Sequence, residues 1–434
     1  MKKTLLTICL VWMCFSLSAQ KIIDLSGKWS FSIDRQDNGE KEKWFSHTLN
    51  DFINLPGSMP EKLKGDEVTA KTQWTGSLYD SSYYYNPYME KYRKEGNIKF
   101  PFFLTPDKHY VGAAWYQKEV NIPADWKGER ILLFLERPHI ETTVWVNGQK
   151  TGMQNSLCVP HQYDITHYVR PGKCTITIRV DNRIKEINVG PDSHSITDQT
   201  QGNWNGIVGR ICLQTTPKTY FDDIQIYPEP EQKLARVKVV IKGTGTAKVK
   251  LSAESFNTDK KHIVPAIQQE IKLNKGVTET EMVLPMGNDM LLWDEFHPAL
   301  YKLKAEVTNG KKTEIKEIQF GMRRFEIKGK WFYVNGRKTQ LRGTVENCDF
   351  PLTGYAPMDV ESWERVFRIC RSYGLNHMRF HSFCPPEAAF MAADRVGFYL
   401  QPEGPSWPNH GPKLGLGQPI DKYLMDETIA LTKE

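Results

Sequence analysis

The sequence lacks three features that would place it in a common functional class. Its eight cysteines are scattered and none forms a Cys-x-x-Cys pair, so their spacing argues against a structural zinc site. Its formal charge of +6 is dispersed without a basic block, which argues against nucleic-acid binding. Beyond the first twenty residues no apolar run approaches membrane-spanning length, so we expect no membrane partner. The remaining composition, 40% hydrophobic and 25% charged over 434 residues, is typical of a globular protein with several domains.

The one long apolar run lies at the amino terminus. Lys2 and Lys3 precede the apolar residues 5–17, and small residues follow up to Ala19. This order is typical of a secretory signal peptide, and it is too short for a membrane-spanning helix of the mature protein. We therefore predict a signal peptide over residues 1–19, cleavage near Ala19, and export to the periplasm or the extracellular space. The alternative is an uncleaved amino-terminal anchor.

Residues 20–217 and 218–330 both have the patterns of β-domains. The first range holds many short strands separated by turn residues, including an Asn147-Gly148 hairpin signal, and this favours a β-sandwich of the jelly-roll type. The second range holds four strictly alternating segments, which favour a smaller immunoglobulin-like β-sandwich. We therefore predict two successive sandwich domains with these boundaries.

A long aromatic-rich insertion interrupts the first of these domains between Glu61 and Tyr110. It contains six tyrosines between positions 79 and 92, whose rings could stack on sugar faces. The alternative is an extended loop whose rings pack on its own domain. We favour this alternative, because a loop of this length needs apolar anchors of its own.

After residue 330 the hydrophobic pattern changes to alternating strands and helices. A helix is predicted after Asp359, which can cap it, and before Gly374, which suits its carboxyl-terminal end. The order strand, helix, strand, helix, strand implies right-handed parallel crossovers. We predict that residues 331–434 form the beginning of a (β/α)₈ (TIM) barrel, so that the whole fold is multidomain: jelly roll, immunoglobulin-like sandwich and incomplete barrel.

Charged side chains occupy strand ends that a buried parallel sheet would fill with Val and Ile. Arg379 and His381 share one face of the strand that begins at Leu375, and Glu403 follows the next strand. In a barrel of this type the active site lies at the carboxyl-terminal ends of the strands. The alternation therefore predicts that Arg379, His381 and Glu403 point inward to a site, with Arg379 and Glu403 within ion-pair distance. A purely structural Arg–Glu pair at the rim is the alternative.

At these residues the sequence resembles glycoside hydrolase family 2, which includes β-galactosidases, β-glucuronidases and β-mannosidases. The family's Asn-x-apolar-Arg strand and its Asp-x-x-Gly motif match Asn376, Met378, Arg379, Asp394 and Gly397. Further stretches that resemble the family's motifs are "VWVNGQKTG" (144–152), "NWNGIVGRICL" (203–213), "LLWDEFHPALYKL" (291–303) and "LRGTVENCDFPLTG" (341–354). The resemblance covers nearly all of residues 22–434. It implies an exported retaining β-glycosidase, β-galactosidase-like, acting in polysaccharide or oligosaccharide breakdown.

The resemblance implies four substrate-binding residues, Arg379, His381, Glu403 and Asn347. His381 is shifted by one position from the family's His, and Asn347 stands where many β-galactosidases have a sugar-contacting His. Family members carry their acid/base Glu after an Asn behind the fourth strand and their nucleophile Glu behind the seventh. This sequence has no Asn-Glu dipeptide, and residues 331–434 are too few for a complete barrel of about 250 residues.

We therefore assign no catalytic residue within the 434 positions, interpret the chain as the amino-terminal portion of such an enzyme, and expect it to be inactive by itself. The expected partner is a carbohydrate substrate. We predict no cofactor and no metal site, leave a divalent cation open, and leave the oligomeric state undecided. The alternative function is a non-catalytic carbohydrate-binding protein, because the predicted jelly roll does not depend on a complete barrel.

Overall fold

The structure is a computed structural model that describes residues 20–76, 81–99, 106–187, 189–200, 202–350, 352–407 and 413–433. The predicted signal peptide, residues 1–19, and Tyr79 of the insertion lie outside the described residues. None of the helices in the described part of the chain combines the length and the apolar character that a membrane crossing needs.

The first structural unit is a sandwich of two antiparallel sheets. One sheet has the order β1-β13-β8-β11, with β4 beside β13, and the other has the order β10-β9-β12-β7-β2-β3. A continuous apolar core fills the space between them, because alternate residues such as Leu133 and Ile178 point inward and are fully buried. The strands are β1 Ile22–Asp24, β2 Gly27–Asp34, β3 Asp51–Leu55, β4 Gly57–Ser58, β5 Asp66–Glu67, β6 Lys108–His109, β7 Ala113–Ile122, β8 Arg130–His139, β9 Glu141–Val146, β10 Gln149–Asn155, β11 His161–Asp164, β12 Gly172–Asp181 and β13 Gly206–Thr216.

The aromatic-rich insertion is partly packed and partly exposed. The two-residue strands β5 and β6 pair antiparallel near its two ends, and between them lie the helix α1 (Ser82–Tyr85) and a 3₁₀ helix over Pro87–Tyr92. Tyr83 is buried in a small cluster with Trp74, whereas Tyr85 and Tyr88 are 72% and 84% exposed. Tyr83 therefore packs within the insertion itself, whereas these two rings are exposed.

The second unit is a five-stranded antiparallel assembly around a separate core. Its strand order is β14-β15-β17-β18, with β16 paired to β15. Two of the alternating segments predicted from the sequence belong to a single strand, β15. This strand continues through an irregularity between Gly243 and Gly245. Both glycines have positive φ angles, which let the strand bend without ending. The strands are β14 Tyr220–Glu229, β15 Leu234–Phe256, β16 Ile263–Pro285, β17 Leu300–Asn309 and β18 Lys312–Phe320.

The third unit combines a small antiparallel sheet with a parallel one. The order β19-β20-β21 spans the predicted boundary at residue 330, and the parallel sheet has the order β22-β23-β24. Lys338 and Thr339 end the antiparallel strand β21, and the first parallel strand, β22, begins at Gly343. The elements are β19 Phe325–Lys328, β20 Trp331–Val334, β21 Arg337–Thr339, β22 Gly343–Glu346, α2 Val360–Ser372, β23 His377–Phe380, α3 Glu387–Val396, β24 Tyr399–Gln401 and α4 Pro419–Leu431.

The helices of the third unit begin and end where the sequence indicates. Asp359 caps α2 by accepting a 2.8 Å hydrogen bond from the Ser362 amide, and Gly374 follows with a φ of +81°. Gly397 ends α3 in the left-handed conformation. Apolar residues from α2, α3 and one face of β23 and β24 form the third core. The opposite face of the parallel sheet is therefore the one that carries polar side chains.

Helix α4 attaches the third unit to the first. Glu427 is only 3% exposed, and its Oε2 accepts hydrogen bonds from the backbone amides of Leu157 and Cys158, both at 3.0 Å. A buried carboxylate is stable in such a place because charge-assisted hydrogen bonds replace its hydration. This contact holds the jelly-roll loop next to the residues that follow β23.

Candidate sugar-binding site at the strand ends

The four predicted site residues lie at the carboxyl-terminal ends of three adjacent parallel strands. Asn347 follows β22, Arg379 and His381 lie at the end of β23, and Glu403 follows β24. Met378 and Phe380 of β23 are buried against the helices, so the alternation leaves Arg379 on the opposite face. The strands thus deliver these side chains to one edge of the sheet, as their sequence pattern predicts.

Arg379 and Glu403 form an ion pair in which Arg379 Nε donates to Glu403 Oε1. Their pairing confirms the contact expected from the shared parity of neighbouring strands. The hydrogen bond to Glu403 raises the pKa of Arg379, so the guanidinium stays charged. The pair therefore offers remaining N–H donors and a carboxylate acceptor side by side, while its net charge is close to zero.

His381 and Asn347 form the second pair of the site. His381 Nδ1 lies 3.1 Å from Asn347 Oδ1, and the His381 amide donates to the carbonyl of Glu346 at 2.8 Å. The side-chain contact holds the imidazole against the neighbouring strand end. Its second nitrogen and the Asn347 amide are the groups of this pair that can exchange hydrogen bonds with a ligand.

A loop of the jelly roll reaches the same site. His194 Nδ1 donates to the backbone carbonyl of His381 at 2.8 Å, and the two imidazole rings meet edge to face with centroids 4.3 Å apart. Trp407 approaches both rings, with centroid distances of 5.3 Å to His194 and 6.3 Å to His381. Burial lowers the pKa of His194 and the His381 ring lowers it further, so His194 is neutral near pH 7.

Further contacts fix this loop to the strand ends. The Ser193 hydroxyl donates to the carbonyl of Pro405, and the Ser195 hydroxyl donates to the carbonyl of Ser382 at 3.3 Å. Both acceptors lie within a few residues of predicted site residues. The wall formed by His194 and Trp407 was missed by sequence reasoning, because a loop without hydrophobic periodicity gives no sign of where it packs. The available signal for this wall was the presence of a His and a Trp in loops, next to strand ends that carry polar side chains.

Other residues of the family-like motifs attach the third unit to the second. Asn376 Nδ2 donates to Glu295 Oε2 at 2.6 Å, and Trp293 Nε1 donates to the carbonyl of Asp394 at 2.7 Å. A Cβ on Gly397 would lie 2.6 Å from the carbonyl oxygen of Glu295, so only glycine fits. These motif positions serve domain docking, which leaves Arg379 as the member of the strand motif that faces the site.

Metal binding finds no support at these residues. Among the residues that the structure describes, no group of three or more His, Cys, Asp or Glu side chains is arranged to hold a metal ion. The groups at the strand ends that can form hydrogen bonds are an Arg–carboxylate pair, an imidazole and an amide. An aromatic ring lies next to them. This is the combination that recognises the hydroxyl groups and the apolar C–H faces of a sugar.

Comparisons with known proteins agree with this chemistry. Residues 22–217 match the family model "Glycosyl hydrolases family 2, sugar binding domain", and residues 219–323 match "Glycosyl hydrolases family 2". A β-galactosidase of Thermoanaerobacter pseudethanolicus is 24% identical over 334 residues, covering 73% of this chain and 42% of the relative. Human β-glucuronidase is 23% identical over 420 residues, covering 88% of this chain and 57% of the relative.

A β-glucuronidase from Ruminococcus gnavus has the same fold, with a TM-score of 0.68 and 19% identity over 95% of this chain and 63% of that chain. The chain spans less than two thirds of the length of these relatives. The two family models together match most of the sequence, with the sugar-binding model over the first unit and the other model over the second. The chain therefore belongs to glycoside hydrolase family 2.

Proposed function

We propose that the chain provides the sugar-binding side of a retaining β-glycosidase that removes sugars from polysaccharides or oligosaccharides. In this proposal β22, β23 and β24 are the first three strands of a (β/α)₈ barrel. The observation that carries it is the Arg379–Glu403 pair beside His381 and Asn347, all at the ends of parallel strands where such barrels bind substrate.

The residues of this site bind and orient a sugar, and we assign neither catalytic carboxylate to the sequence. A retaining mechanism needs two carboxyl groups about 5–5.5 Å apart, one as nucleophile and one as acid and base. Glu403 is engaged by Arg379, which favours a role in accepting a sugar hydroxyl. His381, Asn347 and the neutral His194 add hydrogen-bonding groups around the same place.

A neutral sugar such as galactose suits the site better than a uronic acid. Recognition of a uronate carboxylate requires a cation with spare charge, and the charge of Arg379 is already balanced by Glu403. His194, the nearby jelly-roll residue, is neutral near pH 7 and adds no positive charge. We therefore propose a β-galactoside as substrate, although the named relatives include both β-galactosidases and β-glucuronidases.

Isothermal titration calorimetry of the 434-residue chain tests this proposal. Methyl β-galactoside should bind more tightly than methyl β-glucuronide, and Arg379→Ala should weaken galactoside binding at least tenfold. Arg368→Ala is the matched control, because Arg368 forms an exposed ion pair with Glu364 on the outer surface of α2. Equal binding by the two variants, or a preference for the glucuronide, would contradict the proposal.

Export is the second part of the proposed function, and the first nineteen residues support it. Two lysines, an apolar run and small residues up to Ala19 have the order of a cleavable signal peptide. Secretion would place the enzyme where polysaccharides occur. Amino-terminal sequencing of the mature protein should begin within a residue or two after Ala19, and a mature protein that begins at Met1 would overturn this part.

A further inference from the structure

A large cleft lies where the three structural units meet. Its volume is about 1,050 Å³, which is at the upper end of the range for small-molecule sites. The outer face of the sheet β1-β13-β8-β11 forms its floor, strand β18 forms one side, and the first half of α3 forms another. Arg379, His381, Glu403 and Asn347 are not among its lining residues, so the cleft is separate from the site at the strand ends.

The floor of the cleft carries two glutamine side chains at defined positions. Gln162 of β11 pairs with Phe134 of β8, which pairs with Cys212 of β13, so their side chains form one row across the sheet. Gln214 lies two positions further along β13 on the same face. From a strand spacing of about 4.8 Å and a rise of about 3.3 Å per residue, the two glutamines are roughly 12 Å apart.

The amide groups of these two glutamines are available for a ligand. Neither side chain has a hydrogen-bond partner among the residues that the structure describes, and each amide offers two donors and an acceptor. The jelly-roll face thus carries two unused amides, too far apart to contact a single sugar ring. A chain of linked rings could reach both.

Apolar side chains also line the cleft. Ile22 of β1 lies opposite Gln214 on the floor and is 58% exposed, and Phe390 of α3 at the side is 37% exposed. Between them Arg210 bonds to Glu136 at 2.9 Å and to Glu387 at 2.7 Å, which ties the jelly roll to α3 across the cleft. The cleft thus presents amides beside apolar side chains, among them Phe134 in the same row as Gln162, and this mixture matches a pyranose chain, whose rings have hydroxyl edges and apolar C–H faces.

The charges of the lining indicate which kind of oligosaccharide fits. The lining contains six acidic side chains and only four basic ones. Among the basic ones, Arg210 is paired with Glu136 and Glu387, and Arg130 is paired with Asp164. The other two donate to backbone carbonyls, Arg137 to those of Leu157, Cys384 and Pro385, and Lys316 to that of Phe221. All four cations are thus already engaged, and the excess of acids disfavours an acidic polysaccharide as the ligand.

We propose that this cleft binds a neutral oligosaccharide segment and holds a polymeric substrate while the site at the strand ends takes its terminal sugar. The ligand class rests on the proposed glycosidase function, whereas the position and composition of the cleft do not. The binding face is the floor that carries Gln162 and Gln214, and the apolar side chains of Ile22 and Phe390 contact the ring faces.

Calorimetry with β-1,4-galactotetraose tests the cleft. The titration is made in the Arg379→Ala background, so that the cleft is measured without the other site. The double variant Gln162→Ala/Gln214→Ala should weaken binding at least tenfold. The matched control is Gln268→Ala/Gln269→Ala, two exposed residues of β16 outside the cleft, which should change binding less than twofold.

Each outcome of this titration decides the proposal. Unchanged tetraose binding by the floor variant, or tighter binding of tetragalacturonate than of galactotetraose, would overturn it. Ile22→Ala provides a second variant, and it should weaken tetraose binding without lowering the melting temperature, since Ile22 is exposed on an edge strand. Failure of the terminal-sugar site would appear instead as unaltered methyl β-galactoside binding after Arg379→Ala in the otherwise native chain, so the two proposals fail separately.

Discussion

Replacing Glu427 by Ala should detach helix α4 from the jelly roll. The substitution removes the acceptor of two buried backbone amides, those of Leu157 and Cys158. An unsatisfied buried donor costs about 1–3 kcal/mol. Because the Ser156 hydroxyl still accepts from Cys158, the Leu157 amide is the donor left without an acceptor, and the expected local loss is about 1–3 kcal/mol. Glu427→Gln keeps an oxygen in place and should cost only about 1 kcal/mol, the charge-assisted part of the bonds.

Amide hydrogen exchange at Leu157 measures this effect directly. A loss of about 2 kcal/mol corresponds to a roughly 30-fold faster exchange. A local measurement is preferable because a multidomain chain has no single free energy of unfolding. Asp426→Ala is the control, since Asp426 is exposed and pairs only with Lys422 on the surface of α4. Exchange as slow in Glu427→Ala as in this control would refute the reasoning, and so would equal damage by Gln and Ala.

Three further predictions concern packing, pH and activity. Gly397→Ala should lower the melting temperature more than Gly374→Ala: both have positive φ, but only the first methyl would meet a carbonyl, at 2.6 Å. Burial lowers the pKa of His139 and His161 from 6.5 to about 3, so the unfolded chain binds protons that the folded chain does not. The first unit, which contains both histidines, should therefore lose about 1.6 kcal/mol of stability per histidine between pH 6.5 and 5, and an unchanged melting temperature of its transition over this range would contradict this. The 434-residue chain should hydrolyse no nitrophenyl β-glycoside, and turnover abolished by Glu403→Gln would overturn that expectation.

Local signals in the sequence predicted local structure well. The cap at Asp359 and the glycine at 374 mark the ends of α2 because capping depends on a few neighbouring residues. The alternation around Arg379 predicted its pairing with Glu403, since parallel neighbours with the same parity share a face. In these cases the information lies within one strand or helix and its immediate partner.

Contacts between residues that are far apart in the sequence could not be predicted from it. His194 lies 187 residues from His381, and nothing in its loop indicates where it docks. Gly243 and Gly245 bend one continuous strand, and the sequence cannot distinguish this bend from a loop, because glycine has the same signature in a loop and in a bulge. The docking contact between Asn376 and Glu295 was likewise hidden, since it joins separate domains.

The position of a bound sugar tests the central claim most directly. A crystal structure of the chain with methyl β-galactoside should place the sugar ring between the Arg379–Glu403 pair and the His381–Asn347 pair, with hydroxyl groups in hydrogen-bond distance of both. A sugar found only in the cleft on the jelly-roll face, or on neither surface, would contradict the account of the strand ends as the substrate site.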